Sequence, residues 1–162
     1  MNRIWAPWRK RYVSGEKKTR GCLFCRVVRA PARKDKTHLL LHRTPHSFLM
    51  LNRYPYNNGH LMIVPHRHVP SLARLKDNER LDLLKLLDRS LEILAKAIHP
   101  QGFNVGMNLG RAAGAGFPGH VHIHIVPRWV GDTNFMPILG ETKVISDSLQ
   151  AVYQALSRLL KR

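Results

Sequence analysis

The chain has 162 residues, enough for one domain with a real core and too few to expect two. Hydrophobic residues make up 44% and charged residues 23%, the balance of a soluble globular protein, and no apolar run nears the roughly 20 residues that a membrane span needs. Lys and Arg number 27 against 10 Asp and Glu, and this formal +17 draws polyanions, whether nucleic acid or a small polyphosphate.

Residues 1–36 read as a basic, irregular arm anchored by Trp5, Pro7, Trp8 and Tyr12 and packed on a domain spanning residues 37–162. The opening Met1-Asn2-Arg3-Ile4-Trp5 is charged early and lacks the apolar stretch of a signal peptide, so the expected location is the cytoplasm. The arm also carries the only cysteines, as Cys22-x-x-Cys25. In that compartment the spacing is a metal or redox signal sooner than a structural disulfide. The bulky Leu23 and Phe24 speak against a thioredoxin-type site.

A first strand is expected around Thr37–His42. The runs His46–Arg53 and His60–Arg67 read as two more, joined across Tyr54-Pro55-Tyr56-Asn57-Asn58-Gly59, whose Pro, Asn and Gly form turns. From Ser71 to Ile98 the period becomes helical, with Leu84, Leu87, Leu91, Leu94 and Ile98 as the stripe facing the sheet. Asp77 is the expected N-cap of its main section, and Pro100 lies just past its end. Leu83, Leu86 and Ile93 widen the stripe, which leaves room for a dimer contact. Two further strands, Gly102–Leu109 and His120–Arg128, flank the glycine-rich Gly110–Gly119. After a turn-rich Gly131–Gly140, Ser146–Leu160 reads as a C-terminal helix with Leu149, Val152, Leu156 and Leu159 inward. The expected class is α+β, a mostly antiparallel sheet with one long and one C-terminal helix.

The chemistry concentrates in His120-Val121-His122-Ile123-His124-Ile125-Val126. Alternate residues of a strand share a face, so the three imidazoles stand in a row about 7 Å apart. Imidazole serves as nucleophile, proton donor or metal ligand near neutral pH. With Asn108 and the glycine-rich loop just upstream, the row suits an anionic substrate.

The run His120-x-His122-x-His124 resembles the signature of the histidine triad (HIT) superfamily. Leu51-Asn52-Arg53-Tyr54-Pro55 and Gly59-His60-Leu61-Met62-Ile63-Val64-Pro65 resemble its nucleoside-pocket hairpin. Trp5-Ala6-Pro7-Trp8-Arg9, Gly21-Cys22-Leu23-Phe24-Cys25 and Pro127-Arg128-Trp129-Val130-Gly131-Asp132-Thr133-Asn134-Phe135 are similar to stretches of prokaryotic HIT-family hydrolases and diadenosine tetraphosphate phosphorylases. The resemblance spans nearly the whole chain. It implies the HIT-like fold, a homodimer with a continuous sheet, and cleavage of a dinucleoside polyphosphate, most plausibly diadenosine tetraphosphate.

It implies roles as well. His122 would attack an α-phosphate and carry the nucleotidyl group, splitting one difficult transfer into two easier ones. His124 would donate to a phosphate oxygen. Asn52 would meet the ribose, Asn108 would orient the phosphate, and the loop around Gly116 and Phe117 would present backbone N–H groups to it. In zinc-bearing relatives the matching ligands are Cys22, Cys25, His68 and His120, a closed structural set, with His66 as a rival to His68. The chain departs from the pattern in one place. Many relatives have Gln, Ser or Thr shortly before the first triad histidine; here Gly116 and Phe117 stand there, with no hydroxyl from Leu109 to Gly119. Leaving-group protonation then falls to His124, water or the substrate, and the second nucleophile is open between water and inorganic phosphate. Two other classes remain: a nucleotide sensor without turnover, and a nucleic-acid-associated module using the aromatic, basic arm.

Overall fold

Two short runs, Ser47–Leu51 and Leu61–Pro65, are buried at every position, so both faces of the strands they form must be covered. The computed structural model, which describes residues 21–133, 145 and 147–160, shows what covers them. In chain order its elements are α1 (Leu23–Arg29), α2 (Asp35–His38), β1 (Leu40–Arg43), β2 (Ser47–Leu51), β3 (Leu61–Pro65), α3 (Asp77–Ile98), β4 (Gly102–Gly106), β5 (Ile123–Arg128) and α4 (Leu149–Leu160), with short 3-10 turns at Ala32–Lys34 and Leu72–Arg74. The strands form one sheet, ordered β1-β2-β3-β5-β4, with every neighbour antiparallel. The α+β expectation holds.

The period of two sorts the strand residues onto two faces. Leu49, Leu51, Leu61, Ile63, Ile123 and Ile125 pack with Leu83, Leu86 and Leu94 of α3 and Val152 and Leu156 of α4. Phe48, Met50, Met62 and Val64 point the other way and pack with Phe24 and Val27 of α1. Arg43 ties α1 to the sheet: its guanidinium donates to the carbonyls of Val27, Val28 and Ala30 at the helix C-terminus, where carbonyls lack their intrahelical partners, and pairs with Asp35 at 2.7 Å. Helix α1 covers the β1-β2-β3 side of this second face. Among the described residues no helix covers the β5-β4 side.

Several boundaries differ from the sequence reading. Thr37 and His38 belong to α2, and the first strand starts only at Leu40, after a left-handed Leu39 with φ of 59°. Within the supposedly irregular arm, Leu23–Arg29 is helical because Phe24 and Val27 have an apolar sheet face to bury against. The long helix starts at Asp77 rather than Ser71, with Lys76 rather than Asp77 as its cap. Glu79 accepts the Lys76 N–H at 2.7 Å and is itself gripped by Arg67, which fixes that start. Its buried stripe is Leu83, Leu86, Ser90, Ile93 and Leu94, whereas Leu84 is 55% exposed. Leucines fill both candidate stripes, and only the sheet beneath selects between them. Strand β4 ends at Gly106. Strand β5 starts at Ile123, because the Val121 N–H donates to Val69 O at 2.7 Å and leaves the β3 ladder. The last helix runs from Leu149, burying Val152, Leu156 and Leu160, with Leu149 and Leu159 only half-buried. Trp5, Pro7, Trp8, Tyr12 and most of Gly131–Gly140 lie outside the described residues.

Candidate functional site

His122 sits just before β5, buried against Phe24, whose ring centroid is 4.9 Å away. Its Nδ1 lies 2.9 Å from the carbonyl oxygen of His120. A carbonyl only accepts, so Nδ1 carries the proton and Nε2 keeps a lone pair. Burial pushes the ring's pKa down, which favours the neutral form at neutral pH. A neutral imidazole with a fixed tautomer is a nucleophile at Nε2.

The tautomer of His124 is set through a ring that the sequence reading quoted but gave no role. His60 Nδ1 accepts the backbone N–H of Tyr56 at 3.0 Å and the amide Nδ2 of Asn52 at 3.3 Å. Its own proton must then be on Nε2, which donates to His124 Nδ1 at 2.9 Å. His124 in turn carries its proton on Nε2. Burial, reinforced by neighbouring rings, lowers His60 to about 3 and His124 to about 4, so both are neutral at pH 7. A signal for His60 was present: it shares parity with Met62, which pairs with His124 across the ladder. That parity puts it on the histidine face.

His120 faces elsewhere. Its Nδ1 lies 3.3 Å from Cys22 Sγ and 3.7 Å from Cys25 Sγ, while Cys25 Sγ is 3.3 Å from His68 Nδ1. The four ligand atoms lie within 4.8 Å of one another. Zn–S and Zn–N bonds at tetrahedral angles imply S···N separations of about 3.6 Å, so two thiols and two imidazoles fit a structural zinc. His120 Nε2 donates to Pro65 O at 2.9 Å, which leaves Nδ1 as the lone-pair nitrogen facing the two cysteines, the orientation a metal ligand needs. His68 is the residue brought to this group; His66 instead stacks on Phe48 with its Nε2 buried and unbonded. The centre joins α1, the segment after β3 and the approach to β5.

The other candidates are placed less tightly. Asn52 uses its Oδ1 to accept the Tyr54 N–H at 2.9 Å, a turn contact, and its Nδ2 on His60. Phe117 meets Phe24 edge-on at 5.3 Å, beside His122, and Gly116 is exposed in the loop. Asn108 and His124 line one hollow of about 480 Å³ over the open β5-β4 side, with Tyr56, Asn104, Val126 and Arg128. The sequence reading assigned nothing to Asn104 or Arg128, since no strand pattern reveals which polar residues share a cavity.

A family model described as the HIT domain matches residues 33–130. The chain is 36% identical over 162 residues to an AP-4-A phosphorylase of Mycobacterium tuberculosis, covering 97% of this chain and 83% of that protein. It is 34% identical to an adenosine 5'-monophosphoramidase of Schizosaccharomyces pombe, covering 66% of this chain and 74% of that protein. Among solved structures, a Zn-bound histidine triad family protein from Mycobacterium smegmatis aligns with a TM-score of 0.67 at 22% identity, covering 87% and 94% of the two chains.

Proposed function

Since the chain belongs to the HIT-domain family, we propose that it is a nucleotide-cleaving enzyme acting on dinucleoside polyphosphates, diadenosine tetraphosphate first among them, through a nucleotidyl intermediate on His122. The observation that carries this reading is the His122 Nδ1–H···O contact to His120, which leaves Nε2 unprotonated beside a second ring that must donate. The lone pair on Nε2 attacks the α-phosphorus, the bond to the bridging oxygen breaks, and its electron pair leaves with the polyphosphate. The ring becomes cationic while bonded to phosphorus, and the His120 carbonyl stabilises it through Nδ1–H. His124 offers its Nε2–H to the oxygens where charge builds up, a role in which one donor contributes about 3 kcal/mol. With no hydroxyl from Leu109 to Gly119, it is also the chain's donor to the leaving oxygen.

Asn108 orients the α-phosphate, the loop at Gly116 and Phe117 supplies backbone N–H groups, and Asn52 uses its remaining hydrogen-bonding capacity on the ribose. Cys22, Cys25, His68 and His120 would hold a structural zinc, which would supply no reacting group and would brace α1 against the segment before β5 that carries the nucleophile. Residues 1–36 act as an arm on a domain of residues 37–162, and the protein works in the cytoplasm. It works as a homodimer: β4 is a sheet edge with no neighbour among the described residues and with Val105 45% exposed, and Leu81 and Leu84 stand exposed on α3. Sedimentation at micromolar concentration giving the mass of a single chain would contradict that assembly.

Incubation with diadenosine tetraphosphate, with and without inorganic phosphate, tests the reaction. ATP plus ADP that requires phosphate means phosphorolysis, and ATP plus AMP means hydrolysis. His122→Ala is expected to lower turnover by about a thousandfold or more while nucleotide binding persists. Unchanged turnover in that variant refutes the assignment, and binding without any product makes the protein a sensor.

A further inference from the structure

The hollow beside His124 is larger than the nucleophile needs, and its far wall is built. Arg128 stands four residues after His124 on β5, a run of about 13 Å along a strand. Its Nε and Nη2 donate to Asp132 at 2.6 and 2.8 Å, and its Nη1 to Asn104 Oδ1 at 2.6 Å. Asp132 is in turn held by Asn57 Nδ2 at 2.8 Å and by the Trp129 N–H at 3.2 Å, with only 7% of its side chain exposed. A guanidinium has five N–H groups. Three are used here, so two are left without an acceptor among the described residues. The carboxylate, saturated by its own donors, fixes the plane of the guanidinium at the wall of the hollow.

The placement gives the hollow a direction. His122 is walled by Phe24 and by the metal-ligand group, and the hollow starts at His124 and runs over the open sheet side toward Arg128. His124 is the ring whose Nε2–H serves the leaving oxygen, so whatever leaves starts at the mouth of this hollow. We propose that the hollow floored by Asn104, Val126 and Arg128 binds the departing polyphosphate half of the substrate, and that Arg128 recognises a phosphate beyond the one attacked. An in-line second step brings its acceptor along the path the leaving group took, so Arg128 also seats inorganic phosphate against the nucleotidyl-His122. Arg128 is thereby a specificity-determining residue that selects long phosphate chains on the way out and phosphate over water on the way in. With the Nε/Nη2 fork held by Asp132, the two remaining N–H groups on Nη1 and Nη2 are the ones that can donate to phosphate oxygens, and such charge-assisted contacts are among the stronger polar ones. The inference rests on the nucleotidyl-histidine reading above.

Two substrates that share a nucleotidyl half separate the inference from that reading. Diadenosine tetraphosphate has a long phosphate-rich leaving group; adenosine 5'-phosphoramidate has almost none. Arg128→Gln and, without change of charge, Asn104→Ala are assayed on both, with phosphate varied and AMP and ADP counted separately. Arg128→Gln is expected to raise KM for the tetraphosphate about tenfold or more, the loss of a charged hydrogen-bond partner. The same variant raises the ratio of AMP to ADP, while kcat/KM for the phosphoramidate stays within about twofold of the parent. Asn104→Ala shifts the same quantities in the same direction by less. Inorganic tripolyphosphate competes with the tetraphosphate on the parent enzyme and about tenfold more weakly on Arg128→Gln. Equal losses on both substrates, or no change in KM and product ratio, overturn the proposal. A parent enzyme that cleaves neither substrate fails the underlying reading instead, which the His122→Ala comparison reports separately.

Discussion

His60 accepts a hydrogen bond from the Tyr56 N–H and donates one to His124, so replacing it alters a tautomer before it alters a shape. His60→Phe keeps the ring volume and removes the donor. His124 can then carry its proton on Nδ1, facing away from the substrate, and kcat is expected to fall about a hundredfold, the size of a misplaced general acid. Nucleotide affinity should stay within about threefold if only the tautomer is lost, and an unchanged kcat would show that His124 orients itself. The same burial carries a stability signature. His60 and His124 titrate near 3 and 4 in the fold but near 6.5 when unfolded, so the unfolded chain takes up protons first as pH drops. Stability is therefore full above pH about 6.5 and declines below it, by up to about 1.4 kcal/mol per pH unit for each ring, until pH nears the folded values. Denaturant midpoints at pH 7 and pH 5 measure this; equal midpoints would mean that the rings are not buried neutral. The three triad histidines could be picked out in the sequence by their spacing, but His60 lies at the start of the neighbouring strand, and only the ladder register brings it to His124.

Among the elements, α1 shows what spacing alone leaves out. Cys22-x-x-Cys25 announced ligands, yet the helix that carries them forms because Phe24 and Val27 meet Phe48, Met50 and Val64. Both cysteines then lie beside His68 and His120. Cys25→Ser is expected to lower bound zinc well below one ion per chain, as read by metal analysis of the purified protein, and to lower the thermal midpoint by several degrees. Retention of a full equivalent of zinc would remove Cys25 from the ligand set. Gly119→Ala addresses the same centre from the loop, since an added Cβ would lie 3.1 Å from His68 Nε2. The β2-β3 connection is constrained elsewhere. Gly59 has φ of 71°, and a Cβ there would stand 2.5 Å from Ile98 Cδ1. Gly59→Ala is thus expected to destabilise by about 1–3 kcal/mol from backbone strain and overpacking. A midpoint shift within error in chemical denaturation would show that Ile98 can yield. The helix stripe carries the clearest lesson at this scale. Nine leucines and isoleucines of α3 allow more than one stripe, and the sequence reading took the one through Leu84, which the fold exposes.

For the whole molecule, a formal charge of +17 on 162 residues sets the encounter with an anionic ligand. If the substrate carries a tetraphosphate, kcat/KM should fall several-fold between about 0.02 and 0.2 M salt while kcat changes little, because screening weakens steering. A salt-independent kcat/KM would separate the charge from catalysis. The linear pattern determined the class and marked the residues that carry chemistry, because strand and helix periods are local and the spacings of His120-x-His122-x-His124 and Cys22-x-x-Cys25 stand out on their own. The expected row of three imidazoles on one strand face does not form, since β5 starts at Ile123 and His120 turns to the cysteines. What only the tertiary structure decided are relations between distant residues. Among these are the choice of His68 over His66, the pairing of His60 with His124, the buried stripe of α3, and the meeting of Arg128, Asn104 and His124 around one hollow. Each depends on which elements lie side by side and in what register, and that is settled by burying two apolar faces of one sheet at once.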